Sequence, residues 1–124
     1  MNRYAKPISE FSRLEKCFSA HSTPFKLSAQ LPLFEARNEE NYCTVVLQSG
    51  SLSIYRQPDD LLFEIVAAPY IFGINAGMMG CSTEYQLVTQ SPCSGFYLPA
   101  ASARNLIQQA GLWADAFCWL SWHH

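Results

Sequence analysis

The sequence predicts a mainly β domain flanked by helices. Three observations lead there. Apolar and polar residues alternate in about eight short runs between residues 24 and 98. Turn-forming residues punctuate those runs at roughly 8–12-residue intervals, the spacing of a β-barrel or sandwich. Helical periodicity is confined to the two ends.

Residues 8–20 place Ile8, Phe11, Leu14 or Glu15, and Phe18 on one stripe, which predicts an amphipathic helix. Pro24 ends it, because the residue before a proline avoids helical geometry. Phe25 and Leu27, then Leu31 and Leu33, alternate with polar neighbours as two short strands. Pro32 places the second at an edge or a bulge. Residues 37–41 are a polar turn. Tyr42–Leu47 and Leu52–Arg56 are strands joined through Gly50, as a hairpin or a sharp sheet corner. Gln57-Pro58-Asp59-Asp60 is a turn by its Pro-Asp content, and Leu61–Ala67 is the return strand. Pro69–Ile74, Glu84–Thr89 and Gly95–Leu98 complete the set, with the Gly-rich Asn75–Ser82 as a loop. Pro99 suits a helix start, Leu106, Ile107 and Ala110 give it an apolar stripe, and Gly111 suits its end. Residues 112–122 form a last helix, apolar around most of its circumference.

At 124 residues and 49% hydrophobic, the chain is one domain with enough apolar side chains for a core. Only 15% of residues are charged, and the net charge is 8 − 10 = −2. That balance argues against contact with nucleic acid by this chain. The charge is unevenly placed. Residues 1–40 hold six Lys/Arg, residues 41–124 only two, and none lies between Arg56 and Arg104. No apolar run reaches the ~18–20 residues of a membrane span. The N-terminus lacks the apolar core of a secretory signal. Five cysteines without CxxC or zinc spacing read as reduced thiols, and the expected compartment is the cytoplasm.

The run Val45–Arg56, with Gly50 between two strands, resembles the central hairpin of cyclic-nucleotide-binding-like domains. Pro69-Tyr70-Ile71-Phe72-Gly73 resembles the entry to that family's phosphate-binding cassette. Phe96-Tyr97-Leu98-Pro99 resembles its last strand and the helix start that follows. The likeness covers nearly the whole chain and extends to the sensory half of Crp/Fnr-like transcriptional regulators. Lys6-Pro7, Phe11, Arg13-Leu14, Lys16-Cys17, Ala68–Gly73 and Leu112-Trp113 through Trp119 are similar to a divergent, peroxide-linked branch of that family. The resemblance implies an eight-stranded β-roll (a double-stranded β-helix) over 23–98, an N-terminal helix within 1–22 and C-terminal helices within 99–124. It implies one domain over 1–124 that stops before any DNA-binding domain, and a possible role in the response to oxidative stress.

Members that bind cyclic nucleotides carry a Gly-Glu pair for the ribose and an Arg for the phosphate. Here Gly73 is followed by Ile74, and residues 57–103 contain no Lys or Arg. A buried anion without paired cations is costly, so cyclic nucleotide is not expected to bind in the family's usual way. The degenerate cassette, Phe72, Gly73, Ile74, Asn75, Ser82, Thr83 and Tyr85, is the candidate ligand site for an unknown small-molecule effector. The simpler reading is that Phe72, Ile74, Met78, Met79 and Tyr85 just fill the roll.

The terminal helix is too apolar to be covered by its own domain alone. A homodimer is expected through Trp113, Ala116, Phe117 and Leu120, with Trp119 and Trp122 on another face. The alternative is a ligand-free interaction module using the same Trp-rich helix. Cys81, in the Gly-rich loop, is the candidate redox residue, while Cys43 and Cys118 read as small buried hydrophobes. No catalytic residue, metal site or cofactor is assigned. His21, His123 and His124 all lie outside the β region, which disfavours a cupin-like metalloenzyme. Neither GxSxG nor HExxH occurs, and the chain is read as a non-enzyme.

Overall fold

A computed structural model describes residues 5–33, 43–56, 60–74 and 85–123. Three helices and seven strands occur among them: α1 Ile8–Ser19, β1 Thr23–Leu27, β2 Cys43–Ser49, β3 Ser51–Arg56, β4 Leu61–Ala67, β5 Tyr70–Phe72, β6 Tyr85–Thr89, β7 Cys93–Pro99, α2 Ala100–Ala110 and α3 Trp113–His123. One sheet has the order β1-β7-β2-β5 and the other β4-β3-β6, with every named pair antiparallel. This is the mainly β, helix-flanked class that the sequence predicts.

The link between β2 and β3 is a corner rather than a hairpin, because the two strands lie in different sheets. Gly50 makes the corner at φ 93°, where a Cβ would strike the carbonyl oxygen of Pro92. Ser51 and Cys93 clamp it. The Ser51 amide donates to Ser91 Oγ at 3.0 Å, and Cys93 Sγ donates to Ser51 O at 3.1 Å.

The expected strand over 31–33 is reduced to a single bridge between Pro32 and Val88. Leu33 N–H still donates to Leu87 O, and Thr89 N–H to Leu31 O. Pro32 has no N–H to give, so a regular ladder cannot form across it. Buried Thr89 holds the segment instead: its Oγ1 accepts from Leu31 N–H at 2.9 Å and donates to Ser28 O at 2.6 Å.

In α1, Phe11, Leu14 and Phe18 are buried, which resolves the stripe in favour of Leu14 over Glu15. The stripe of α2 is Ala100, Ala103 and Ile107, while Ala110 is exposed. Gly111 ends α2 in the left-handed conformation, φ 71°, and Leu112 N–H returns to Ile107 O at 2.9 Å. α2 lies on β2 and β7, and α1 packs on both C-terminal helices.

Candidate functional site

Strand β5 brings the cassette entrance onto β2, pairing Phe72 with Val45 and Ile71 with Val46. Gly73 follows at φ 94°, and a Cβ there would strike the Cys43 carbonyl. Thr44 Oγ1 donates to Gly73 O at 3.3 Å, fixing the turn. Ile74, which follows Gly73, is 3% exposed. Tyr85 opens β6 and meets Phe72 edge-on at 5.9 Å. Phe72, Gly73, Ile74 and Tyr85 of the candidate cassette are therefore drawn together or placed in sequence there. Asn75, Met78, Met79, Cys81, Ser82 and Thr83 lie outside the described residues.

Phe63 joins this group, its ring 5.2 Å from that of Tyr85. The sequence pattern did not single it out, because alternation along Leu61–Ala67 breaks at this residue. The ladder pairs Ile54 with Glu64 and Tyr55 with Leu62, leaving Phe63 unpaired in a bulge.

A second connection was also missed. Trp119, 1% exposed, donates its indole N–H to Ile71 O at 3.0 Å. Tyr70 lies against both Trp119 and Trp122, with centroids 5.6 and 6.5 Å away. Burial, with some help from the Glu64 charge, pushes the Tyr70 phenol far above its usual range. Lys6 closes the far end: its Nζ donates to Ala67 O at 3.0 Å and sits 5.8 Å from the Trp122 ring. A buried tryptophan needs a hydrogen-bond partner, and that requirement was the available signal for Trp119.

The four proposed interface residues separate. Ala116 is fully buried inside the protomer, Trp113 and Leu120 are half-buried, and Phe117 is 54% exposed. At ~100° per residue, Ala116 turns inward with Trp119, while Phe117 turns outward beside Cys118. Trp113 remains next to Phe117, with centroids 6.0 Å apart. Asp115, also inward, takes a two-pronged contact from Arg13: Nε to Oδ2 at 2.7 Å and Nη2 to Oδ1 at 3.2 Å. This fork ties α1 to α3.

Cys118 is exposed and Cys43 half-buried, against the expectation that both would be buried. The helix turn that sends Phe117 outward carries Cys118 with it. All four described thiols are pushed above the ordinary value. Burial does this for Cys17, Cys43 and Cys93. For Cys118, desolvation comes first, followed by the Glu10 carboxylate and Asp115. Among the described residues no three His, Cys, Asp or Glu side chains group as a metal site. None of their helices is long and apolar enough to cross a membrane.

No family model matches the chain. It is 36% identical over 119 residues to the inhibitor of hydrogen peroxide resistance of Escherichia coli (strain K12). That match takes in 96% of this chain and 57% of the relative, so the chain spans little more than half the relative's length. The sensor domain of the transcriptional regulator DNR from Pseudomonas aeruginosa is similar in structure, with a TM-score of 0.67 and 17% identity, covering 98% of this chain and 90% of that one. The c-di-GMP responsive global regulator CLP of Xanthomonas campestris gives a TM-score of 0.66 and 22% identity, over 90% of this chain and 55% of that one. The chain thus has the cyclic-nucleotide-binding-like fold, and over 119 of its residues it is similar in sequence to the inhibitor of hydrogen peroxide resistance.

Proposed function

We propose that this chain is the effector-sensing and dimerisation domain of a Crp/Fnr-like transcriptional regulator acting in the cytoplasm. It performs no catalysis and needs no cofactor. One observation carries the reading: the hydrogen bond from Trp119 Nε1 to Ile71 O. It joins α3 to the strand that enters the Gly73 turn. A ligand that shifts β5 must carry Trp119 along or strand a buried acceptor, at a cost of about 1–3 kcal/mol. The cassette and α3 therefore move together, and an effector selects between two settings of α3 through its differing affinity for them. The exposed ring of Phe117, flanked by half-buried Trp113 and Leu120, is the surface offered to a second copy.

The effector is not a cyclic nucleotide held in the usual way. Ile74 offers no carboxylate to a ribose, and residues 57–103 supply no cation to a phosphate. The link to oxidative stress is supported by the name of the relative. Its redox arm rests on Cys81, since the raised thiols of Cys17, Cys43, Cys93 and Cys118 disfavour the reactive thiolate at neutral pH. Calorimetric titration with cyclic AMP and cyclic GMP tests the central exclusion. The expected result is no saturable heat. Binding at micromolar affinity would overturn it.

A further inference from the structure

The bulge at Phe63 does more than interrupt a ladder. It turns a large ring to the side of Tyr85, where it stays 54% exposed. Tyr85 is flanked by Phe63 from one sheet and Phe72 from the other. The three rings thus form one cluster, two of them half-buried and the third open to solvent. Bulges re-aim side chains in this way beside binding sites.

The charge beside this cluster is equally specific. Arg56 is the sole Lys or Arg between Arg37 and Arg104. In the register of β3 it stands directly opposite Tyr85 on one side and Leu61 on the other. Directly opposed residues share a face, with Cβ atoms about 4.5–5.5 Å apart. Arg56 is therefore beside Tyr85, the ring that Phe63 and Phe72 flank. Arg56 is itself exposed. Arg56, Asp60 and Glu64 each have contacts already, so the guanidinium shares or exchanges a partner on binding.

We propose that Phe63, Tyr85, Phe72 and Arg56 form a binding site for a small planar aromatic ligand carrying one anionic group. This rests on the sensing role proposed above and names the class of effector. The rings supply flat apolar contact and edge-to-face packing. Arg56 supplies a charge-assisted contact at the solvent side, where the anion need not be buried. A cyclic nucleotide makes a different demand, since its phosphate needs donors from the segment between Gly73 and Tyr85.

The test uses 1-naphthoate, the uncharged 1-naphthalenemethanol and cyclic AMP, each titrated into the 124-residue chain by calorimetry. The expected result is saturable binding of 1-naphthoate, with the alcohol weaker by about tenfold, the order of one charge-assisted contact. Arg56→Gln, at an exposed position, should weaken 1-naphthoate to the level of the alcohol and leave the alcohol unchanged. Phe63→Ser should weaken both. Absence of saturation by 1-naphthoate, or an unchanged preference over the alcohol in Arg56→Gln, overturns the site. Saturable binding of cyclic AMP overturns the exclusion stated under the proposed function and leaves the 1-naphthoate result standing, so the two failures are distinguishable.

Discussion

β2 and β4 begin from similar sequence and end in opposite surroundings. β2 contains Thr44-Val45-Val46-Leu47, and all four are buried. β4 contains Leu61-Leu62-Phe63, and all three are exposed, as is Ile65. Hydrophobicity does not separate them; position does. β2 lies between β7 and β5 with α2 packed on it, and four buried residues in a row mean that both its faces are covered. β4 is the edge of the three-stranded sheet and pairs only with β3 among the described residues. A continuous apolar run is what a doubly covered strand needs. On an edge, the same run leaves its apolar side chains exposed.

The sharpest way to break this comparison is to shorten one leucine in each strand. Leu47→Ala should cost about 2–5 kcal/mol in urea denaturation, as cavities in tight cores do. Leu62→Ala should cost under about 1 kcal/mol, because a half-exposed side chain leaves little cavity. Equal losses would mean that β4 is as constrained as β2. Trp119→Phe is the next largest effect. The ring is kept, but Ile71 O loses its donor, and the expected loss is about 1–3 kcal/mol. Phe63→Ser should change stability by no more than about 0.5 kcal/mol; a large loss would make Phe63 a core residue rather than a binding one.

The smallest effect is on pH dependence. The Cys17, Cys43 and Cys93 thiols and the Tyr70 phenol titrate higher in the folded chain than in the unfolded one. Their contribution is fully present below the ordinary thiol value of 9.0. It is lost as pH rises through the raised folded values. Thermal unfolding should therefore fall away on the alkaline side of pH 9.0. In maleimide labelling, Cys118 should react first among the four described thiols, since it is the exposed one. Rapid labelling of Cys17 or Cys93 near neutral pH would show that the covered thiols open readily.

Much of the fold was legible because local signals agreed. Phe11, Leu14 and Phe18 recur at helical spacing, Pro99 and Gly111 bracket α2, and Gly50 sits at the turn between two strands. The strand at 31–33 was overread, because alternation of Leu31 and Leu33 says nothing about the missing N–H of Pro32 between them. The site was legible in part. The resemblance that ends at Gly73, and the Ile74 that follows it in place of a carboxylate, can be read from sequence alone. Phe63 was hidden because a bulge shifts the two-residue period by one. Trp119 was hidden because its partner is a backbone carbonyl, and no side-chain pattern records it. The outer face of α3 was misassigned at Ala116, since an apolar helix gives periodicity little contrast between its inner and outer sides.

The dimerisation role proposed above turns on whether the outer face of α3 joins two copies. Sedimentation velocity on the wild-type chain and on Phe117→Asp, each checked for unchanged thermal unfolding, measures this. The predicted result is a wild-type dimer and a folded Phe117→Asp monomer. A wild-type monomer, or a variant that remains a dimer, would contradict it.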